Sequence, residues 1–390
     1  MRRKEGKMKV VLRLAITQTV GTMILCILVA ATAAGQAQQE QKPPMAEDVF
    51  KNVQVLRGIP VGQFMETMGF ISASLGLNCS DCHVSEQDWA AYARDNDIKQ
   101  TARKMMLMVN TLNRGNFGGK QMVTCYTCHR GDVTPKTVPT IAGIYNTPPP
   151  DEPDEIVKDA PNAPPAAQIL DKYIQALGGA QRVAALTSIV EKGTYQGFSA
   201  EEGVKRPAEI YVKAPNQRAS IVHTLNGDLT NSYDGRDGWS AVPGAAVPVL
   251  ALNGADLDGL KMDAELAFPA HIKEVLGDWH VGFPVTIDGQ DADVVQGRSA
   301  PGALPVKLYF DQKSGLLVRQ VRFTVSPLGR NTTQVDYSDY RTVAGLKMPF
   351  HVVVSWLDGR SNFELTDIQV NVPIDAAKFG KPAPAVAPAK

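Results

Sequence analysis

Two stretches decide how this chain is read: Cys79-Ser80-Asp81-Cys82-His83 and Cys125-Tyr126-Thr127-Cys128-His129. Both spell Cys-x-x-Cys-His, and the spacing carries the chemistry. Two thiols three positions apart reach the two vinyl groups of one haem, and the adjoining His then lies beneath the iron and ligates it. The chain has 5 Cys, and these two copies use every one except Cys26. Two Cys-x-x-Cys pairs also suit a four-Cys zinc site, and one such pair suits a redox dithiol. Neither use calls for a His directly after each pair. Cys79, Cys82, Cys125 and Cys128 are therefore read as covalent haem attachment points. His83 and His129 are read as iron ligands of two c-type haems.

Composition narrows the remaining ligand. Of the 6 His in the chain, only the two motif residues lie in this region. His223, His271, His280 and His351 show no metal-ligand spacing. Methionine is the natural candidate, and a thioether ligand raises a haem's potential. Two helices are expected ahead of the motifs. Residues 61–75, opening after Pro60, place Phe64, Met65, Met68, Ile71 and Leu75 on one face. Residues 97–113 place Ile98, Ala102, Met105, Met108, Val109 and Leu112 on one side. Each helix offers two Met at i, i+3. A Met stripe often simply fills a core, and spacing alone does not choose within either pair.

The residues around the motifs narrow the choice. Val55-Leu56-Arg57-Gly58-Ile59-Pro60, then Phe64-Met65-Glu66-Thr67-Met68-Gly69-Phe70-Ile71 running on to Asn78-Cys79, resembles the cytochrome c subunit of photosynthetic reaction centres. So do Ala102-Arg103-Lys104-Met105 and Val123-Thr124-Cys125-Tyr126-Thr127-Cys128-His129-Arg130-Gly131. The resemblance covers roughly residues 45–133. It implies a helix, a turn and a motif for each haem, with the Met ligand drawn from the preceding helix. Carried over, Met68 and Met105 are the axial ligands, and Met65 and Met108 are packing residues. In that family the subunit re-reduces the photo-oxidised chlorophyll pair on the outer membrane face. Well-known members carry four haems, where this chain has motifs for two.

The first 37 residues read as an export signal. A basic segment (Arg2, Arg3, Lys4, Lys7, Lys9, Arg13) precedes an apolar stretch and then small residues from Ala31 to Ala37. The stretch is just long enough to span a bilayer, so an uncleaved N-terminal anchor is the alternative. Cys26 is not expected to carry lipid, because Leu25 stands where a small residue is required. The periplasm is the expected compartment, in association with the outer face of the inner membrane.

The whole chain of 390 residues suggests two or three units. Lys+Arg and Asp+Glu are 40 each, which argues against a nucleic-acid partner. Residues 42–132 form the motif-bearing module. Residues 133–165 are Pro-rich and read as a semi-extended linker. Residues 166–379 alternate as strands, expected at 189–198, 208–212, 218–225, 306–310, 316–324, 332–340, 350–356 and 363–370. Helices are expected at 166–186 and about 257–276. Turn signals such as Asp234-Gly235 and Asp358-Gly359 separate the strands. Residues 380–390 are an expected disordered tail.

The phrases Ser232-Tyr233-Asp234-Gly235, Tyr340-Arg341-Thr342-Val343-Ala344-Gly345 and Asn371-Val372-Pro373-Ile374-Asp375 resemble periplasmic half-barrels of the lipoprotein-carrier type. That implies a hollow sheet able to hold a lipid or hydrophobic ligand, or to dock a partner.

The expected fold is thus multidomain: a mostly α dihaem cytochrome c module, then an α+β domain with a curved antiparallel sheet. The expected function is electron transfer by an exported dihaem cytochrome between redox-protein partners, one of them a membrane-bound reaction centre. Three alternatives stand beside it: a non-photosynthetic periplasmic carrier, a haem enzyme or sensor such as a peroxidase, and a ligand-binding half-barrel with an accessory cytochrome module. No catalytic side chain is expected.

Overall fold

The computed structural model describes residues 43–83, 90–139, 141, 155–197 and 203–384. The export segment lies outside the described residues, as do 385–390 of the expected tail.

The turn signals build one large curved antiparallel sheet. Its strands are β1 (Ser188–Gly197), β2 (Arg206–Lys213), β3 (Gln217–Thr224), β4 (Gly227–Tyr233), β5 (Gly238–Ala241) and β6 (Val249–Ala251). The second half adds β7 (Gly277–Val281), β8 (Val285–Ile287), β9 (Gln290–Arg298), β10 (Val306–Asp311), β11 (Leu317–Ser326), β12 (Gly329–Val343), β13 (Leu346–Trp356) and β14 (Gly359–Val370). The order is β6-β5-β4-β3-β2-β1-β14-β13-β12-β11-β10-β9-β7, with β8 on β9. Almost every neighbour is next in sequence, as hairpin turns dictate. The exceptions are β7, which lies on β9 beside β8, and β1 on β14, where Ile189 faces Val370, so the two halves of the meander meet mid-sheet.

Alternation along the strands sorts residues to two faces. Ile189, Ile210, Val212, Leu308 and Phe310 point to the main core and meet Ile169, Leu170, Tyr173 and Leu177 of a helix. Val190, Tyr211 and Ala219 point the other way and are covered by Phe379.

The helices, in chain order, are α1 (Ala46–Val49), α2 (Val61–Leu75), α3 (Cys79–Cys82), α4 (Asp97–Phe117), α5 (Cys125–His129), α6 (Ala166–Leu177), α7 (Ala180–Ala184), α8 (Gly254–Leu266) and α9 (Ile272–Val275). Helix α2 has the expected bounds. Helix α4 runs one turn further than expected, to a left-handed Gly118. The expected helix at 166–186 divides into α6 and α7 at Gly178-Gly179. The described end of the Pro-rich segment is pinned rather than free. The buried Gln296 side chain exchanges two hydrogen bonds with the backbone of Ile156, 2.9 and 3.1 Å. Ala160 N–H donates to Val281.

The helical segment and the sheet pack together through the β11–β12 hairpin. Leu328 at its tip is fully buried against Leu56, Phe70 and Met106. The Phe70 ring lies so close to Gly329 that a Cβ there would collide with it. Gln63 donates to Val325 O at 3.1 Å, and Asn331 donates to Glu66 O. Gln121 reaches Ser326 O at 2.9 Å.

One polar seam crosses this junction. The Glu66 carboxylate accepts from Thr324 at 2.8 Å and faces Asp256 of α8. The compensating cation is Arg322, which lies 3.5 Å from Asp263. Burial, then the Asp256 charge, pushes Glu66 up to about 7. Burial likewise raises Asp256. A carboxyl raised on folding contributes stability that is complete below its unfolded pKa and is lost as pH rises through the folded one. The melting temperature is therefore expected to fall as pH is raised from the ordinary carboxylate range to about 7. Glu66→Gln should flatten that profile, and an unchanged slope in thermal melts of the variant would refute the assignment.

Candidate cofactor site

The Cys-x-x-Cys-His stretches fold as short capped turns. Asn78 precedes α3, accepts from Asp81 N–H, and receives the Asp81 carboxylate on its own N–H at 2.8 Å. Thr124 and Thr127 form the corresponding capping box on α5. A helical turn brings the two Cys of each motif onto one side. Gly76 closes α2 in the left-handed region at φ 65. Its missing Cβ leaves room for the Gly131 carbonyl, and Gly131 N–H donates to Ser74 O at 3.0 Å. The tail of the second motif thus rests on the end of the helix that leads into the first.

Each motif His is oriented from behind. His83 Nδ1–H donates to Tyr92 O at 3.2 Å, and the ring meets Tyr92 edge-on at 5.0 Å. His129 Nδ1–H donates to Asp132 O at 3.0 Å. Each bond fixes the tautomer and leaves Nε2 with its lone pair outward, the arrangement a metal-ligating imidazole needs. Burial, then Lys99, lowers the His83 pKa and keeps that ring neutral.

The first site is a cavity of about 360 Å³, within the size range of cofactor pockets. Cys79, Cys82 and His83 line it from one side, and Met65 and Met68 of α2 from another. Lys99, Ala102, Arg103 and Met106 of α4 add a third wall. Asn96 clips the walls together: its Oδ1 caps α4, and its Nδ2 donates to Cys82 O at 2.8 Å. The structure thus brings together Met68, Cys79, Cys82 and His83, and Met65 stays beside Met68. A hydrophobic wall, a thiol pair, an oriented imidazole and a thioether fit a haem. Burial raises the Cys79, Cys82 and Cys125 thiols, so none is activated as a catalytic nucleophile would be.

The second motif differs. Cys125 is half-buried in the Leu56–Phe70–Met106–Leu328 cluster, while Cys128 is exposed. Met105 is 37% exposed and Met108 45%. The expected apolar side of α4 is therefore only partly buried: Ile98 and Leu112 are exposed too, while Val109 of that side points inward with Met106 and Asn113. The reason is the β11–β12 hairpin and the 122–123 loop, which claim that inward face. Asn113 binds the loop three times, with Nδ2 to Val123 O at 2.7 Å and Oδ1 to the N–H groups of Met122 and Val123.

The sequence reading did not single out Tyr92, Asn96 or Asn113, and it marked Asp358 only as part of a turn. The Asn96-Asp97 pair ahead of a periodic run is a helix-start signal; Tyr92 and Asn113 carry none. Asp358, at the tip of the β13–β14 hairpin, lies against Gly69 of α2, with no room there for a Cβ. Among the described residues no group of three or more His, Cys, Asp or Glu is placed to hold a bare metal ion. The other His are bound locally, His223 to Asp228 and His351 to Ser338 and Asn362.

Comparison with known proteins bears on the same stretch. Residues 14–163 match the family model described as photosynthetic reaction centre cytochrome c subunit. The subunit from Thermochromatium tepidum is 38% identical over 97 residues, 24% of this chain and 23% of that protein. The one from Rubrivivax gelatinosus is 31% identical over 133 residues, 30% of this chain and 35% of that protein. The chain thus spans about a quarter to a third of these relatives, and the resemblance read from the residues is borne out over that span. Beyond it, a LolA superfamily protein from Nitrosomonas europaea aligns over 56% of this chain and 99% of its own at 16% identity, TM-score 0.38. A lipoprotein-sorting domain from Vibrio parahaemolyticus aligns over 54% and 97% at 11% identity, TM-score 0.36. Among the described residues no helix is long and apolar enough to cross a membrane.

Asn113→Ala removes all three loop bonds, one of them from a buried amide. It should cost about 1–3 kcal/mol, read from the denaturant midpoint. A shift under about 0.5 kcal/mol, the size of ordinary surface substitutions, would show that the loop is held by other means.

Proposed function

We propose that this chain is an exported dihaem c-type cytochrome that passes electrons between protein partners. The observation that carries the reading is the paired construction of the motifs: two capped Cys-x-x-Cys-His turns, each with its His Nδ1 tied to a backbone carbonyl. Cys79 and Cys82 would hold one haem and Cys125 and Cys128 the other. His83 with Met68, and His129 with Met105, would be the axial pairs. Bound haem supplies one-electron exchange at a potential set by those ligands.

The chain's own residues do the rest. Tyr92 O and Asp132 O hold the imidazole rings in orientation. Phe64, Met65, Ile71 and Met106 exclude water from the first site. Lys99 and Arg103 place cations on its rim, suited to haem carboxylates. The Ile98–Met105–Met108–Leu112 face, the most apolar exposed side of α4, is the surface a second haem would cover. The relatives' names point to a reaction centre as one partner, and the export signal read from the sequence to the periplasm as the location. Residues 42–132 would be the cytochrome module and 166–379 a β-rich domain, joined by residues 133–165.

The pyridine haemochrome of full-length protein, made with a c-type maturation system, should report two haems per chain. Met68→Ala and Met105→Ala should each lower one midpoint potential by on the order of 0.1 V, within the roughly 0.8 V that axial ligation spans. Each should also open that haem to carbon monoxide. Stoichiometric carbon monoxide binding by the reduced unmodified protein would instead favour a haem enzyme or sensor.

A further inference from the structure

Residues 97–136 carry seven Lys or Arg against two acids, Asp97 and Asp132, whereas residues 43–96 carry three against seven. The balanced charge of the whole chain therefore hides an acidic half around the first motif and a basic half around the second. In the basic half Arg103 pairs with Asp95, and Lys136 with Asp132. Lys104, Arg114, Lys120 and Arg130 are exposed and form no ion pair with another described residue. The sheet adds Arg330, exposed and likewise without an ion pair among the described residues, directly opposite Val325 on the β11–β12 hairpin. The two carboxylates of a second haem would neutralise at most two of these five cations.

Hydrogen bonds gather these groups. Arg114 follows Asn113, whose side chain holds Met122 and Val123. Lys120 N–H donates to Phe117 O at 3.1 Å, and Met122 N–H to Lys120 O at 2.9 Å. Gln121 reaches Ser326 O, next to Val325. Arg130 N–H donates to Tyr126 O. Among the cations stand Phe117, Met122, Tyr126 and Val325, all apolar in body and 40–61% exposed. Single exposed hydrophobics are ordinary, but four on connected segments mark a surface that meets another molecule. They are distinct from the Ile98–Met105–Met108–Leu112 face that a second haem would cover. An apolar centre with a charged rim is the build of a protein interface. A lipid surface would neutralise the cations but takes no electron, whereas Tyr126 lies inside the second motif itself.

We propose that this surface docks an acidic redox protein at the second motif, as donor or acceptor of one electron. The proposal rests on the dihaem reading and adds to it the exchange site and the sign of the partner's charge.

Stopped-flow oxidation of the reduced, haem-loaded, full-length protein tests this with two oxidants of opposite charge. One is an acidic plastocyanin, whose Cu(II) becomes Cu(I) as one haem iron goes from Fe(II) to Fe(III). The other is the tris(phenanthroline)cobalt(III) cation. The plastocyanin rate should fall about tenfold or more from low to physiological salt, as steered association does, and the cobalt rate should not fall. Arg114→Glu, Lys120→Glu and Arg330→Glu change exposed side chains. Each should slow plastocyanin by roughly threefold to tenfold, as rim charges do, without slowing cobalt. Lys313→Glu, at the turn ahead of β11 and roughly 30 Å of strand from Val325, should change neither rate. A salt-independent plastocyanin rate, or three reversals that leave it unchanged, would overturn the proposal. So would binding to phosphatidylglycerol vesicles that the reversals abolish while the plastocyanin rate stays the same, since the surface would then belong to a membrane. Protein without haem would refute the dihaem reading as well, whereas two haems with charge-indifferent rates would refute this proposal alone.

Discussion

Helix α2 is packed on both sides, and that constraint shapes everything around it. Phe64, Met65, Met68, Ile71, Ser72 and Leu75 fall within one face and line the first cofactor cavity. Gln63, Glu66, Gly69 and Phe70 fall on the opposite face and meet the β11–β12 and β13–β14 hairpins. A helix with water on one side tolerates rotation and fraying there. This one has no such side. Thr67 and Ser74, buried between the faces, turn their hydroxyls back to the carbonyls of Gln63 and Phe70, so no polar atom is stranded. The position of Met68 is therefore set by the sheet as well as by its own segment.

Helix α4 repeats the arrangement with one difference. Its Lys99–Ala102–Arg103–Met106 row closes the same cavity, and Asn113 holds the loop into the second motif. Its third face is left to solvent and is apolar, with Met105 and Met108 at its centre. A run of large exposed hydrophobics on a helix that already has a buried face marks a surface that meets something. The two helices thus share one cavity, and α4 alone carries the candidate ligand of the second motif.

The motifs, the bounds of α2 and eight of the strands were legible in the sequence because each rests on a local signal. Cys spacing, a proline start with a glycine stop, and alternation between turn dipeptides need no knowledge of the rest of the chain. Strands β4 to β9 were missed because they are short or mixed in pattern; Gln290–Arg298, for example, opens on Gln-Asp-Ala-Asp. In α4 periodicity found the apolar stripe and not which part of it a neighbour covers. In α2 the signal succeeded for the cavity face and was silent on the other, where Glu66, Gly69 and Phe70 dock. Gly69 and Gly329 reveal their purpose only once Asp358 and Phe70 are seen against them. Tyr92 and Asp132 orient the motif imidazoles through backbone carbonyls, which no side-chain pattern records.

Strand β11 runs from the sheet cavity, a space of about 170 Å³ on the concave face, to helix α2 by its alternation alone. Gln320, Arg322 and Thr324 lie on one face at period two. The first lines the sheet cavity, the second approaches α8, and the third bonds Glu66 of α2. The row is under-bonded: Gln320 Nε2 and Arg322 Nε are buried without partners, as is Asn331 Oδ1 on the neighbouring strand. Well-packed apolar side chains of similar volume in these places would be neutral or stabilising, so the row is a cost to folding set where the sheet meets the candidate haem helix. That cost is confined to the concave face. On the other side of the same sheet, Val190, Tyr211 and Ala219 close under Phe379 as an ordinary dry core. The asymmetry sets the concave face, with its one cavity and its polar row, apart from the other side of the sheet.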